Sequence, residues 1–445
     1  MNEDRKPESP LIQLPKMLTD RLAKPFVRFL QIETAAAGIL LLATLLALIA
    51  SNSPWADAYQ EFWEIKGGFR ISTLEYARPL KDWINDAAMT LFFFLVALEL
   101  KRELVLGELR SPRRAALSIT AALGGMMMPA MIYWALQHDQ PGAHGWGTVM
   151  ATDTAFVIGC LALGGSRIPH SLRVFMLSLA IIDDIGAILV VAIGYNTHIS
   201  WGMLALAATA LAMVRGMSLA GIRGFPLYFL MGGLIWILMD ASGVHATITG
   251  VILGLMTPAR RWVGDKRLYA ILSQVIAHPN APGSGITRDR ESLLAAEIAT
   301  RESLSPVERL ELGLHPWVGF VIMPLFALAN AGLPLSLTGI GNSITLAVFA
   351  GFVLGKPLGV LALSWLALRL GIATRPPELS WGLLASGGLL AGIGFTMALF
   401  IANLAFPADL IDSAKLGIVG ASIFAAFAGL SLLMVISKEN AKHLR

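Results

Sequence analysis

Two adjacent aspartates lie inside one long apolar stretch of the sequence. The stretch runs from about Ser171 to Tyr195, and Asp183 and Asp184 stand near its middle. It is long enough to cross a bilayer as a helix, which takes roughly 20 apolar residues. A single aspartate at the centre of such a helix costs about 2.5–3.5 kcal/mol on insertion. An adjacent pair is therefore expected to take part in binding or moving a charged species.

The composition is that of a polytopic membrane protein. Hydrophobic residues make up 56% of the 445 residues and charged residues 14%, whereas soluble domains carry about 25% charged residues. The single cysteine, Cys160, excludes an internal disulfide and a multi-cysteine metal site. Basic residues lie in short loops between apolar segments, so the net charge of +4 does not indicate nucleic-acid binding. The polar N-terminus has no signal-peptide pattern, and we expect no cleaved leader.

The apolar segments predict an all-α membrane protein with about twelve transmembrane helices. We expect one transmembrane domain, 33–437, between a cytoplasmic N-terminal segment, 1–32, and a cytoplasmic tail, 438–445. Most of the 34 Lys and Arg residues fall in alternate loops, which places both termini in the cytoplasm by the positive-inside rule. The predicted spans are 33–50, 83–100, 115–136, 145–164, 171–195, 201–214, 225–240, 243–257, 312–332, 343–369, 379–404 and 413–437.

Two loops have distinctive sequences. Residues 61–73 predict an external β-hairpin that turns at Gly67-Gly68. An isolated hairpin is marginal in water, so it is expected to pair with a second subunit or lie on the protein, unless this segment is an ordinary solvated loop. The long cytoplasmic loop 258–311 contains a Pro- and Gly-rich linker, and Ser305-Pro306-Val307-Glu308 near its end predicts a capped helix start.

Two predicted spans are interrupted near mid-membrane by residues of weak helix propensity. Span 145–164 contains Thr152 and Asp153 after several glycines, and span 379–404 contains Gly392 and Gly394. Backbone that leaves a helix at this depth is tolerated only where protein or a water-filled cavity surrounds it. Two such segments in corresponding positions indicate a transporter built from inverted repeats. The alternative is that these glycines only permit close helix packing.

Embedded charges could compensate the ends of the broken helices. Such ends present bare N–H groups or bare carbonyls, which Asp153 and Lys356 respectively could offset. Neighbouring helical residues point about 100° apart, so one of Asp183 and Asp184 is expected to face a cavity and the other a neighbouring helix with Lys356. A purely structural ion pair would explain one aspartate and the lysine, but not the second aspartate or Asp153.

The embedded carboxylates, with hydroxyl or carbonyl oxygens of Thr152 or Asp153, form a set of hard oxygen ligands. Such a set suits a small alkali cation, and the sequence has no imidazole-rich cluster to indicate a transition metal. Burial disfavours the ionised form of a carboxylate, so protons and the cation would compete for the same oxygens. This competition produces exchange if the site faces one side of the membrane at a time.

Several motifs resemble those of NhaA-type sodium/proton antiporters and together cover most of the chain. The resemblance implies exchange of external protons for internal sodium or lithium, with net charge movement, shutdown at acid pH and no cofactor. It also implies a location in the bacterial inner membrane and a dimer contact at the hairpin. Because the family is a standard example of inverted repeats, it further implies two crossed discontinuous helices. The motifs are LELKREL (98–104), ATDTAF (151–156), IIDDIG (181–186), SGVHAT (242–247), LHPWV (314–318), GKP (355–357) and AGIGFTM (391–397).

The same resemblance implies roles for individual residues. Asp184 would be the principal cation and proton carboxylate, with Asp183 beside it paired to Lys356 and sodium bound at the two aspartates. Thr152 and Asp153 would lie at the crossing of the broken helices. Two questions stay open: which carboxylates bind sodium directly, and whether Lys356 itself releases a transported proton. The candidates for pH response are Glu99, Arg102, Glu103, Glu311, His315 and His245.

Other interpretations stay open at this point. The pH-response candidates could be ordinary loop charges, and His245 could be a packed, hydrogen-bonded residue. A sodium-coupled symporter for an organic anion could use a similar scaffold, although an embedded Lys–Asp pair would be hard to place in it. An intramembrane aspartyl protease would resemble Tyr-Asp and Gly-x-Gly-Asp motifs, but no Tyr-Asp occurs and Phe395 follows Gly394. A channel is a further alternative. A turnover rate that saturates well below diffusive flux would exclude it.

Overall fold

The computed structural model describes residues 33–71, 74–105, 107, 111–163, 168–195, 199–222, 225–260, 264–276, 293–300, 303–334 and 341–443. Most of these residues are helical. A short 3-10 helix, Ala143–Met150, precedes α5, and residues 293–300 are also helical. The other helices are α1 (Glu33–Ser51), α2 (Ala56–Glu64), α3 (Leu80–Val105), α4 (Pro112–Gln137), α5 (Thr154–Leu163), α6 (His170–Gly194), α7 (Trp201–Leu219), α8 (Phe225–Ala241), α9 (Ile248–Met256), α10 (Asp265–Ile276), α11 (Pro306–Asn330), α12 (Ser343–Arg369), α13 (Trp381–Ala391), α14 (Phe395–Ala405) and α15 (Ile411–His443).

Within the described residues, seven helices are long and apolar enough to cross a membrane: α3, α4, α6, α7, α11, α12 and α15. Two bent pairs also pass this test together, α1 with α2 at 115° and α13 with α14 at 46°. The described chain thus has seven candidate spans, or up to nine if each bent pair counts as one. The predicted number of twelve is not confirmed, because three predicted spans correspond to the shorter helices α5, α8 and α9.

The loop between α2 and α3 does contain a two-stranded antiparallel sheet, but not where the sequence predicted it. Strand β1 (Lys66–Ile71) pairs with strand β2 (Leu74–Pro79). Gly67 and Gly68 lie inside β1 opposite Arg78 and Ala77, so they do not form the turn. The connection at 72–73 lies outside the described residues. The predicted placement at 61–73 was therefore wrong.

The error arose because residues 61–64 belong to α2. Tyr59 and Trp63 are four residues apart, a spacing that places both on one face of a helix. Trp63 is buried, and the Tyr59 hydroxyl donates to the Leu328 carbonyl. Aromatic residues that favour a strand by propensity here pack as a helical face, because tertiary contacts override propensity.

The capping box predicted near the end of the long loop 258–311 is present. The Ser305 hydroxyl accepts from the Glu308 N–H at 3.2 Å, and the Glu308 carboxylate accepts from the Ser305 N–H at 2.9 Å. Together these bonds satisfy N–H groups at the start of α11. The predicted linker at 278–285 and the N-terminal segment 1–32 lie outside the described residues.

Helices α4 and α12 pack closely against each other, next to the position of Lys356 on α12. Gly124 and Gly359 face each other, and a methyl group on either would collide with the carbonyl of the other. A π-helical turn, Gly351–Gly355, then precedes Lys356 on α12. Such turns re-aim the residues that follow and are frequent at functional sites. Lys356 therefore lies close to the middle of α6 and to the end of the 3-10 helix.

Candidate functional site

The two predicted helix interruptions occur, and they contact each other. Residues 151–153 separate the 3-10 helix from α5, and residues 392–394 separate α13 from α14. The Asp153 N–H donates to the Ile393 carbonyl at 2.7 Å. The Thr152 hydroxyl also lies 2.9 Å from the Ala391 carbonyl. The Ile393 carbonyl of one break thus satisfies the Asp153 N–H of the other, and the last carbonyl of α13 lies against a hydroxyl.

Asp153 lies between the starts of two helices. Its Oδ1 accepts from the Phe156 N–H of α5 at 3.1 Å, and its Oδ2 accepts from the Thr396 N–H of α14 at 2.9 Å. The Thr396 hydroxyl donates to the same Oδ2. The side chain is fully enclosed. A carboxylate in this position interacts favourably with the positive ends of both helix dipoles.

Lys356 is completely buried, with a relative exposure of 0%. Its ammonium donates to Asp183 Oδ2 at 2.7 Å, to Thr152 Oγ1 at 2.9 Å and to the carbonyl of Met150. Met150 is the last residue of the 3-10 helix, so this carbonyl belongs to a negative helix end. An ammonium group has three protons, and all three have an acceptor here.

The two adjacent aspartates have different partners, as the rotation between neighbouring helical residues requires. Asp183 Oδ2 is engaged by Lys356 and lies 2.7 Å from the Thr152 hydroxyl. Asp184 Oδ2 accepts instead from the Thr154 hydroxyl at 3.1 Å. Both side chains are buried, and each Oδ1 is without a hydrogen-bond partner among the described residues. Each aspartate therefore retains one oxygen with free lone pairs in a buried site.

Gly392 and Gly394 have a specific packing role at this crossing. A methyl group at position 394 would overlap the ring of Phe352, and one at position 392 would lie 2.9 Å from the Phe352 carbonyl. Both glycines therefore allow α12 to approach the break. They are needed for close packing as well as for the interruption itself.

Of the pH-response candidates, three form one cluster near the end of α3. Arg102 donates to Glu311 on α11 and, at 3.2 Å, to Glu103. Glu311 is buried and its Oε2 has no partner among the described residues. Glu99 lies one turn earlier on α3, whereas His315 is an exposed residue further along α11.

His245 is placed apart from that cluster. Its Nε2 lies 2.8 Å from the Tyr195 carbonyl, directly after the C-terminal end of α6. Arg102 and Glu311 instead join the C-terminal end of α3 to α11. The structure thus does not bring His245 together with the other candidates.

Sequence reasoning missed two hydroxyls that contact the carboxylates, those of Thr154 and Thr396. Both lie in the first turn of a helix that follows a break, where Thr and Ser side chains commonly bond to nearby polar groups. The alternation Thr152-Asp153-Thr154 was also a usable signal. Extended residues alternate sides, so this alternation could have placed both threonines on the side opposite to Asp153.

Comparison with known proteins extends over nearly the whole chain. A sequence model for the family described as Na+/H+ antiporter 1 matches residues 27–433. The "Na(+)/H(+) antiporter NhaA 2" of Acidiphilium cryptum is 57% identical over 431 residues, covering 96% of each chain. The "Na(+)/H(+) antiporter NhaA" of Rhizobium meliloti is 57% identical over 433 residues, covering 97% of this chain and 99% of its own.

A more distant relative, the NhaA antiporter of Rhodopirellula baltica, is 48% identical and covers 95% of this chain and 96% of its own. Among solved structures, a sodium proton antiporter from Methanocaldococcus jannaschii covers 94% of this chain and 96% of its own at a TM-score of 0.44 and 12% identity. The family match and the close relatives, taken with the apolar helices, lead to one assignment. This chain is a membrane protein of the NhaA family of Na+/H+ antiporters.

Proposed function

We propose that this chain is an electrogenic antiporter that exchanges external protons for internal sodium or lithium, by competition for Asp183 and Asp184. One observation carries the proposal: two adjacent buried aspartates each keep an oxygen without a hydrogen-bond partner among the described residues. The adjoining lysine is fully paired, and two broken helices meet beside it. Membership of the family supports sodium and protons as the exchanged ions.

The charges around the site make exchange obligatory in this proposal. Asp183 and Lys356 neutralise each other, and Asp153 is balanced by two helix starts. Asp184 has only the Thr154 hydroxyl, so its negative charge lacks a counter-ion among the described contacts. An uncompensated charge in a dry site is costly. A proton or a cation must therefore occupy Asp184 before the site can turn to the other side of the membrane.

Net charge movement follows if Asp183 or Lys356 also changes protonation when the cation binds. More protons than cations then cross in each cycle. Each elementary charge that crosses 100 mV corresponds to about 2.3 kcal/mol, so the membrane voltage can drive sodium out without a pH gradient. At acid pH the carboxylates stay protonated and transport stops. We assign the Arg102–Glu103–Glu311 cluster to this pH response.

The proposal includes an architecture of twelve spans with both termini in the cytoplasm of a bacterium. The contact between the two breaks supports crossed discontinuous helices in two inverted repeats. We further propose a homodimer through the hairpin of β1 and β2. Its base is fixed to the helices by Arg78, which donates to Asp86 of α3 at 2.9 Å and to Asp240 of α8.

A sodium-coupled symporter is the alternative that shares the broken helices. A carrier of an organic anion needs a large cavity with polar groups, and the buried Lys356–Asp183 pair and the tightly packed glycines argue against one at this site. The relatives named above are all called antiporters.

The decisive variant is Asp184→Asn, assayed in everted membrane vesicles with a pH-sensitive dye. We expect sodium-driven proton movement to be lost, because an amide neither binds a proton nor neutralises a cation. Asp139→Asn is the matched control, since this carboxylate is 82% exposed in the loop after α4 and should be dispensable. Proton movement that persists unchanged in Asp184→Asn would contradict the proposal.

A further inference from the structure

Asp184 has a partner whose oxygen is available to a cation, the hydroxyl of Thr154. Thr154 Oγ1 lies 3.1 Å from Asp184 Oδ2, while Asp184 Oδ1 is buried without a partner among the described residues. The neighbouring Asp183 is different, because Lys356 and Thr152 both engage its Oδ2. The pair of Asp184 and Thr154 is therefore the part of the site with most unused oxygen lone pairs.

The helix break fixes the direction of the Thr154 side chain. Residues 151–153 are not helical, and consecutive side chains of an extended segment point to opposite sides. Accordingly Thr152 contacts α6, Asp153 contacts α14, and Thr154 again contacts α6. Thr154 is also the first residue of α5, so the helix holds its hydroxyl in place.

The distance between the two oxygens suits neighbouring ligands of one small cation. Hard cations bind oxygens at about 2.0–2.6 Å, so two oxygens at right angles around such an ion lie about 2.8–3.7 Å apart. The 3.1 Å separation of Thr154 Oγ1 and Asp184 Oδ2 falls in this range. A hydroxyl has two lone pairs and one rotatable proton. Thr154 can therefore turn its proton away and bind the ion beside the carboxylate.

We propose that Thr154 Oγ1 is a direct ligand of the transported cation next to Asp184 and sets the preference between sodium and lithium. This inference rests on the proposed function and deepens it. A larger cation takes more oxygen ligands than a smaller one of the same charge. Loss of one neutral ligand therefore weakens the binding of sodium more than that of lithium.

The test uses purified Thr154→Val, which removes the hydroxyl and keeps the branched shape. The rise in melting temperature with added sodium or lithium chloride gives each apparent dissociation constant, because a ligand that binds only the folded state stabilises it. We expect the sodium constant to rise about tenfold, equal to about 1.4 kcal/mol, and the lithium constant to rise clearly less. Thr154→Ser keeps the hydroxyl and should stay close to the unchanged protein.

Thr148→Val is the matched control. It removes another buried hydroxyl of the same broken segment, one without a partner among the described residues, and should leave both constants unchanged. Thr154→Ala serves as a second hydroxyl-free variant if Thr154→Val does not fold. Unaltered constants in the hydroxyl-free variants, or a Thr154→Ser variant as weak as Thr154→Val, would overturn the inference. If the unchanged protein itself shows no sodium response, the proposed function fails instead.

Discussion

At the scale of single residues, four buried polar side chains have distinct electrostatic surroundings. Lys356 and Asp183 form an ion pair, Asp153 binds two helix starts, and Asp184 has a hydroxyl as its partner among the described residues. The sequence predicted the ion pair and the role of Asp153, because embedded charges have few available partners. Periodicity alone left open which aspartate faces the lysine, since that depends on the rotation of α6 relative to α12. The resemblance to the family implied Asp183, and Asp183 is the aspartate that Lys356 contacts.

The ion pair gives a prediction about stability. Lys356→Met should destabilise the fold by about 3–5 kcal/mol, because it leaves Asp183 charged and unpaired in a buried site. The double variant Asp183→Asn/Lys356→Met removes both charges and should recover most of this loss. Thermal unfolding of the purified proteins, followed by intrinsic fluorescence, measures both effects. Equal melting temperatures for the single and double variants would show that the two side chains are not coupled.

At the scale of elements, interruptions were easier to predict than packing. Glycines and threonines in mid-span indicated both breaks, and the capping box indicated the start of α11. The hairpin was misplaced, because Tyr59 and Trp63 carry a helical spacing that strand propensity concealed. The contact between the two breaks needed the tertiary structure, since nothing local specifies that Asp153 meets Ile393.

A prediction at this scale concerns the break in the second discontinuous helix. Gly394→Ala should lower both the melting temperature and the exchange rate, because the added methyl overlaps the Phe352 ring. Replacing that ring by a smaller side chain in Gly394→Ala/Phe352→Leu should restore part of the melting temperature and part of the exchange rate. Gly313→Ala on α11 is the control, since no atom of the described residues lies within 4 Å of its added methyl. Alanine there should be neutral or stabilise by up to about 1 kcal/mol. Identical behaviour of the two glycine variants would refute the packing role.

At the scale of the whole molecule, the helices assemble a small polar site inside a largely apolar chain. Close contact of α4 with α12 carries the lysine inward, α6 supplies both aspartates, and the two breaks supply helix ends and hydroxyls. Each part stabilises a charge that the others would leave exposed to an apolar interior. The composition and the alternation of charged loops predicted the membrane class, but the assembly of these parts was visible only in three dimensions.

The central claim is that protons and a cation take turns in neutralising the same carboxylates. Proton release on adding sodium chloride to purified protein, in lightly buffered solution with a pH indicator, tests this claim most directly. We predict release from the unchanged protein, none from Asp184→Asn, and none on adding choline chloride at the same concentration. Sodium binding without proton release from the unchanged protein would contradict the account.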